Sequence, residues 1–127
     1  MTALKDDQPA HIHADQIDGL IAAAGIDGAK DIMEAFWRST SDLLKALTAQ
    51  AAEGDFTHLA QTAHAIKGSA ANVGALRLAH TAMAIERSMR DEEAATLASL
   101  VAKIRDEYEA ARRVFDDHLN KANGAGF

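Results

Sequence analysis

The chain has 127 residues and a net charge of −6, with 13 Lys and Arg against 19 Asp and Glu. That length fits one domain with a single modest core, and an acidic balance without a basic stripe argues against nucleic acid as the main partner. The absence of Cys excludes disulfides and thiolate chemistry. A polar N-terminus and no run approaching ~18 apolar residues exclude a signal peptide or a membrane span, so the expectation is a soluble, cytoplasmic protein.

Ala, Leu, Glu, Lys and Arg dominate, and the one Pro stands at position 9. Propensity and period together predict an all-α fold. Residues 1–13 read as a flexible leader, and its His11 and His13 are too few for a metal site. Ile17, Leu20, Ile21 and Ala24 predict a short helix, which Gly25 suits as a left-handed end. Ile32, Met33, Phe36, Thr40, Leu43, Leu44, Leu47 and Ala51 mark the inner face of a long helix from about 28 to 53, with Trp37 at the edge of that face.

Gly54 stops this helix, and Asp55 is placed to cap the next, which spans about 55–72. Asn72-Val73-Gly74 reads as a turn. Leu78, Ala82, Ile85 and Met89 mark a helix over about 75–90. Asp91 reads as the cap of the last one, whose inner face runs from Leu97 through Ile104, Tyr108 and Phe115 to Leu119. Residues 122–127 read as a frayed tail. Four long helices with short connections fold most simply as an antiparallel up-down four-helix bundle over residues 14–121, with a short additional N-terminal helix.

The helix at 55–72 carries the chemistry. Phe56, Leu59, Ala63, Ile66, Ala70 and Val73 form its apolar stripe. At ~100° per residue His64 falls well off that stripe, among Thr57, Ala60, Gly68 and Ala71, all small. Lys67 lies between His64 and the core. Gly68 inside a helix costs ~1 kcal/mol relative to Ala, which points to a close approach by something else. The short connection makes this helix and the next a hairpin centred near position 75. Glu86 then lies level with His64, and Arg90 one turn further, nearer the level of Gln61.

The pattern His64-x-x-Lys67-Gly68-Ser69-Ala70-Ala71-Asn72-x-Gly74 resembles the signature of histidine-containing phosphotransfer (HPt) domains, with weaker likeness from about Ile17 to about Leu119. The resemblance implies a helical bundle that accepts a phosphoryl group on His64 from a receiver-domain aspartate, or from a kinase, and passes it to another receiver. It implies that Glu86 orients His64 by accepting the Nδ1 proton, that Lys67 offsets phosphoryl charge, and that Arg90 is a second phosphoryl contact. Gly68, Ala60, Thr57, Ala71 and Gln61 would form the receiver docking surface. The implied partners are response-regulator receiver domains and a sensor or hybrid histidine kinase. No cofactor is expected to be bound intrinsically, Mg²⁺ being supplied by the receiver. A monomer is expected, with no nucleic-acid or membrane partner and no metal site.

Four rivals follow from the same residues. The dimerisation region of a sensor kinase, which also carries a phosphorylated His on a helix, usually has an acidic residue directly after that His and a Pro a few places on; here Ala65 follows and no Pro stands after position 9. A di-iron bundle needs Glu-x-x-His motifs, and the chain has none. A non-catalytic helical adaptor would be indifferent to loss of His64. The phosphoryl-accepting N-terminal domain of a chemotaxis-type histidine kinase shares the His-x-x-Lys-Gly pattern; the initial Met and polar leader favour a free-standing protein. No Gly-rich phosphate loop is present, so autonomous kinase activity is not expected.

Overall fold

The computed structural model describes residues 9–91 and 94–124. Four helices follow one another: α1 (Ala14–Glu53), α2 (Phe56–Val73), α3 (Leu76–Asp91) and α4 (Ala94–Gly124). Each packs on its sequence neighbours and α4 closes the ring on α1, which is the antiparallel up-down bundle expected from short connections. Buried Leu, Ile and Ala from all four helices meet in one core. No helix of the described residues is long and apolar enough to cross a membrane.

Three sequence expectations shift. The short helix and the long one are both present, but they join at Gly25 instead of across a loop to position 28. Gly25 has φ 76° and ψ 169°, so its φ is positive but its ψ is extended, a backbone region open essentially to Gly alone. The helix bends there and resumes at once. Trp37 is buried, at 2 % exposure, because Phe36, Tyr108 and Phe115 pack edge-on against its indole and the Tyr108 hydroxyl donates to the Trp37 carbonyl at 2.8 Å. Ile32 and Phe56, expected inside, are 42 % and 49 % exposed. Phe56 is the first residue of α2, at the rim of the bundle. Asp91 is the last described residue of α3; its expected role as the cap of α4 falls on side chains outside the described residues, as do Glu92 and Glu93.

The described part of the expected leader is tied down. His13 caps α1, its Nδ1 accepting from the Gln16 N–H at 3.1 Å, while its own backbone N–H donates to the Gly74 carbonyl at 2.8 Å. Gln16 Nε2 donates to the carbonyls of Ala71 and Asn72. Arg77 donates from Nε to the Pro9 carbonyl at 2.8 Å and meets His11 Nε2 at 3.1 Å. A segment with this many long-range bonds is a strap over the α2–α3 turn, so the flexible-leader expectation fails over residues 9–13; residues 1–8 lie outside the described part. At the other end α4 runs on to Gly124, three residues into the expected tail, and residues 125–127 are not described.

The turn explains two residues of the motif. Gly74 ends α2 with φ 80°, and a Cβ there would stand 3.3 Å from Gln16 Oε1. Asn72 and Gly74 offer carbonyls to the strap. Both serve the join between the N-terminal segment and the hairpin.

Candidate functional site

The stripe of α2 buries Leu59, Ala63, Ile66 and Ala70 completely, which turns the opposite side of the helix to solvent. His64 rides on that side, its side chain 68 % exposed. The hairpin register brings Glu86 of α3 level with it, and Glu86 Oε2 lies 3.1 Å from His64 Nδ1. A carboxylate accepts only, so the Nδ1 proton belongs in this bond and the lone pair of the neutral ring falls on Nε2, at the outer edge.

Lys67 comes to the same carboxylate. Its Nζ is 3.0 Å from Glu86 Oε1, as an ion pair and not a well-directed hydrogen bond. Partial burial would raise the Glu86 pKa, but the close contacts and positive charge of Lys67 and the hydrogen bond of His64 outweigh it and hold the carboxyl below its ordinary value. Glu86 is thus ionised at neutral pH and engaged through both oxygens. The spacing argument placed Glu86 correctly, but it left open that one carboxylate would hold His64 and Lys67 together.

The bare surface is also present. Thr57, Gln61, Gly68 and Ala71 are exposed and Ala60 is half-buried. A Cβ added at Gly68 would meet nothing within 4 Å, so no packing inside the molecule requires glycine there. Arg90 lies on α3 one turn beyond Glu86, and its side chain is outside the described residues. Phe56 was missed as a surface residue: it stands at positions i, i+4, i+8 with Ala60 and His64, an apolar end to the same face. Its place on the apolar stripe concealed this.

The remaining histidines are occupied elsewhere or lie apart. His58 Nδ1 is 2.7 Å from Asp55 Oδ2 at the start of α2, and His118 Nε2 is 2.7 Å from Asp18 Oδ1. His80 is exposed on α3. No group of three or more His, Asp or Glu among the described residues is arranged to hold a metal ion.

Comparison with known proteins agrees with this geometry. The Hpt domain family profile matches residues 31–114. No curated protein matches the chain. Among solved structures, histidine-containing phosphotransfer protein B (HptB) from Pseudomonas aeruginosa PAO1 is similar with a TM-score of 0.79 at 25 % identity, over 87 % of this chain and 96 % of that one. A rice protein described as a candidate histidine-containing phosphotransfer protein superposes with a TM-score of 0.76 at 16 % identity, over 94 % of this chain and 84 % of that one, a likeness of fold alone. The chain belongs to the Hpt domain family, and its role is histidine phosphotransfer in a phosphorelay.

Proposed function

We propose that His64 is the phosphoryl acceptor, exchanging the group with receiver-domain aspartates. The observation that carries this reading is the pairing of an exposed imidazole with a partly buried carboxylate at Nδ1. Nε2 attacks phosphorus as the bond from phosphorus to the aspartyl oxygen breaks, and the aspartate leaves with the electron pair. The ring becomes cationic, and Glu86 offsets that charge while keeping the Nδ1 proton. The reverse step returns the phosphoryl group to a second aspartate.

Phosphoryl transfer needs in-line placement and charge stabilisation more than covalent help. Lys67 supplies a cation within reach of the phosphoryl oxygens once it turns from Glu86, and Arg90 is a second candidate. Metal chemistry belongs to the receiver, whose Mg²⁺ assists the transfer. Thr57, Ala60, Gln61, Gly68 and Ala71 form the seat on which the receiver lies, the short side chains of Thr57, Ala60, Gly68 and Ala71 letting its backbone come close to Nε2. The protein acts as a cytoplasmic monomer between a sensor or hybrid kinase and its response regulators.

The test is transfer from a phosphorylated receiver domain to the wild type and to His64→Ala. Label that is labile in acid, stable in base and absent from the variant supports the reading. Equal labelling of both proteins refutes it.

A further inference from the structure

The last turns of α2 are not built from strong helix formers. Gly68, Ser69, Asn72 and Val73 all rank below Ala in helix propensity. The Ser69 hydroxyl turns back onto the Ala65 carbonyl at 2.9 Å, a bond that weakens a helix slightly. The core holds this segment on one side only: Ala70 is buried and Val73 half-buried, while Gly68, Ala71 and Asn72 are exposed.

A helix also leaves its final carbonyls without intrahelical donors. The turn supplies some of them, the Ala75 N–H donating to the Ala70 carbonyl at 2.9 Å and the Gly74 N–H to the Ala71 carbonyl at 3.3 Å. The N-terminal segment supplies the next. The Gln16 side-chain amide donates to the Asn72 carbonyl at 2.8 Å and to the Ala71 carbonyl at 3.1 Å, and the His13 N–H donates to the Gly74 carbonyl at 2.8 Å. The amide fits there because Gly74 has no Cβ, which would stand 3.3 Å from Gln16 Oε1. Gln16 is itself fixed in the first turn of α1, its N–H on His13 Nδ1 and the fully buried Ile17 beside it.

Resting on the reading of His64 as phosphoryl acceptor, we infer that Gln16 is a positioning residue for the exchange: it caps α2 from 55 and 56 positions away, and so holds Gly68 and Ala71 in register for the receiver without touching the chemistry of His64. The division follows from where the cap acts. The Ala71 carbonyl is one of the groups that Gln16 binds, and Gly68 stands one turn before Asn72, in the part of a helix that opens first when its end loses donors. His64 lies about 12 Å along the axis from Asn72, and its ring is tied to α3 through Glu86. Loss of the cap therefore disturbs the seat and leaves the imidazole in place.

The experiment measures transfer from a phosphorylated receiver domain to the full chain as receiver concentration is varied. Beside it runs labelling of His64 by phosphoramidate, a small donor that needs no docking. Gln16→Met keeps the length of the side chain and removes both amide donors. It should raise the half-saturating receiver concentration roughly 3- to 10-fold, with the maximal rate and the phosphoramidate labelling nearly unchanged, the pattern of lost binding with intact chemistry. Gln16→Glu, which sets a carboxylate against the same carbonyls, should raise it further. Gln16→Lys restores a donor and places a cation at the negative end of α2, and should come back to within about 2-fold of the wild type. Hydrogen exchange of the Ala75 N–H should quicken in the Met and Glu variants and not in the Lys variant. Thermal unfolding of each variant keeps the assays below the transition.

Half-saturation unchanged in Gln16→Met would overturn the inference. Equal impairment of the Met and Lys variants would do the same, by making the side chain a matter of packing and not of donation. Parallel loss of receiver transfer and phosphoramidate labelling would place the effect at His64 and also overturn it. Absence of phosphoramidate label at His64 in the wild type would refute the acceptor reading instead, so the two failures are distinct.

Discussion

Glu86 Oε2 stands 3.1 Å from His64 Nδ1, across two helices and 22 positions of sequence. The histidine side chain is 68 % exposed and the glutamate 24 %. The carboxylate therefore holds the ring from beneath, with the reactive edge left outward. A partner that fixes tautomer and orientation without touching the transferred group acts by positioning.

That role predicts a graded response. Glu86→Gln keeps an acceptor near Nδ1 but removes the charge that offsets the cationic ring, and should slow transfer roughly 10-fold; Glu86→Ala should slow it by up to ~100-fold. Single-turnover transfer from a phosphorylated receiver measures both. The positioning role predicts, in addition, a changed ¹⁵N tautomer signature for His64 in the Ala variant, which a purely structural glutamate would not cause.

The lowered pKa of Glu86 gives a pH dependence of stability. A carboxyl held below its ordinary value in the folded state contributes its stabilisation above that value, and loses it as pH falls through the lowered one. The wild type should therefore exceed Glu86→Gln in urea stability at pH 7, and the gap should close as pH falls below the ordinary carboxylate value and through the lowered one. A gap that stays constant with pH would show that the Glu86 charge does not contribute.

Gly68 separates folding from docking. Nothing inside the molecule lies within 4 Å of a Cβ there. Gly68→Ala should raise stability by ~1 kcal/mol through helix propensity. Gly68→Gln should also keep the fold, with unchanged helical circular dichroism, yet block transfer by filling the surface beside His64. Normal transfer from the Gln variant would remove the close-approach argument.

The strap over the α2–α3 turn responds to acid. Burial, the Arg77 guanidinium and then the Arg113 guanidinium hold the His11 pKa below its ordinary value near 6.5. The neutral ring therefore belongs to the folded state, and its contribution is present above 6.5 and lost as pH falls through the lowered value. Hydrogen exchange of the His13 N–H, bonded to Gly74 at 2.8 Å, should quicken on acidification after correction for intrinsic rates. In His11→Gln, which does not titrate, that pH effect should disappear.

Tyr108 joins α4 to α1 through its hydroxyl on the Trp37 carbonyl, 2.8 Å away and buried. Tyr108→Phe should cost ~1 kcal/mol, the net worth of one buried hydrogen bond whose acceptor is left without this donor. Thermal unfolding followed by the single tryptophan's fluorescence reads the loss directly.

Periodicity, caps and loop lengths are local properties, and they carried most of what could be read in advance. The apolar stripe of α2, the turn at Gly74 and the level placement of Glu86 with His64 all follow from counting along a hairpin, because 3.6 residues per turn and a short connection leave little freedom. The tertiary structure decided what depends on how each helix is rotated about its axis and which rotamers meet. Trp37 went inside because α4 brought Tyr108 and Phe115 onto it. Gln16 reached the turn 55 and 56 positions away, making a strap of residues with no apolar pattern to announce them. Glu86 took Lys67 as well as His64, since both long side chains converge on one carboxylate. An amphipathic period defines the buried side of a helix to within a broad arc; contacts of this kind are settled inside that arc, by packing against distant parts of the chain.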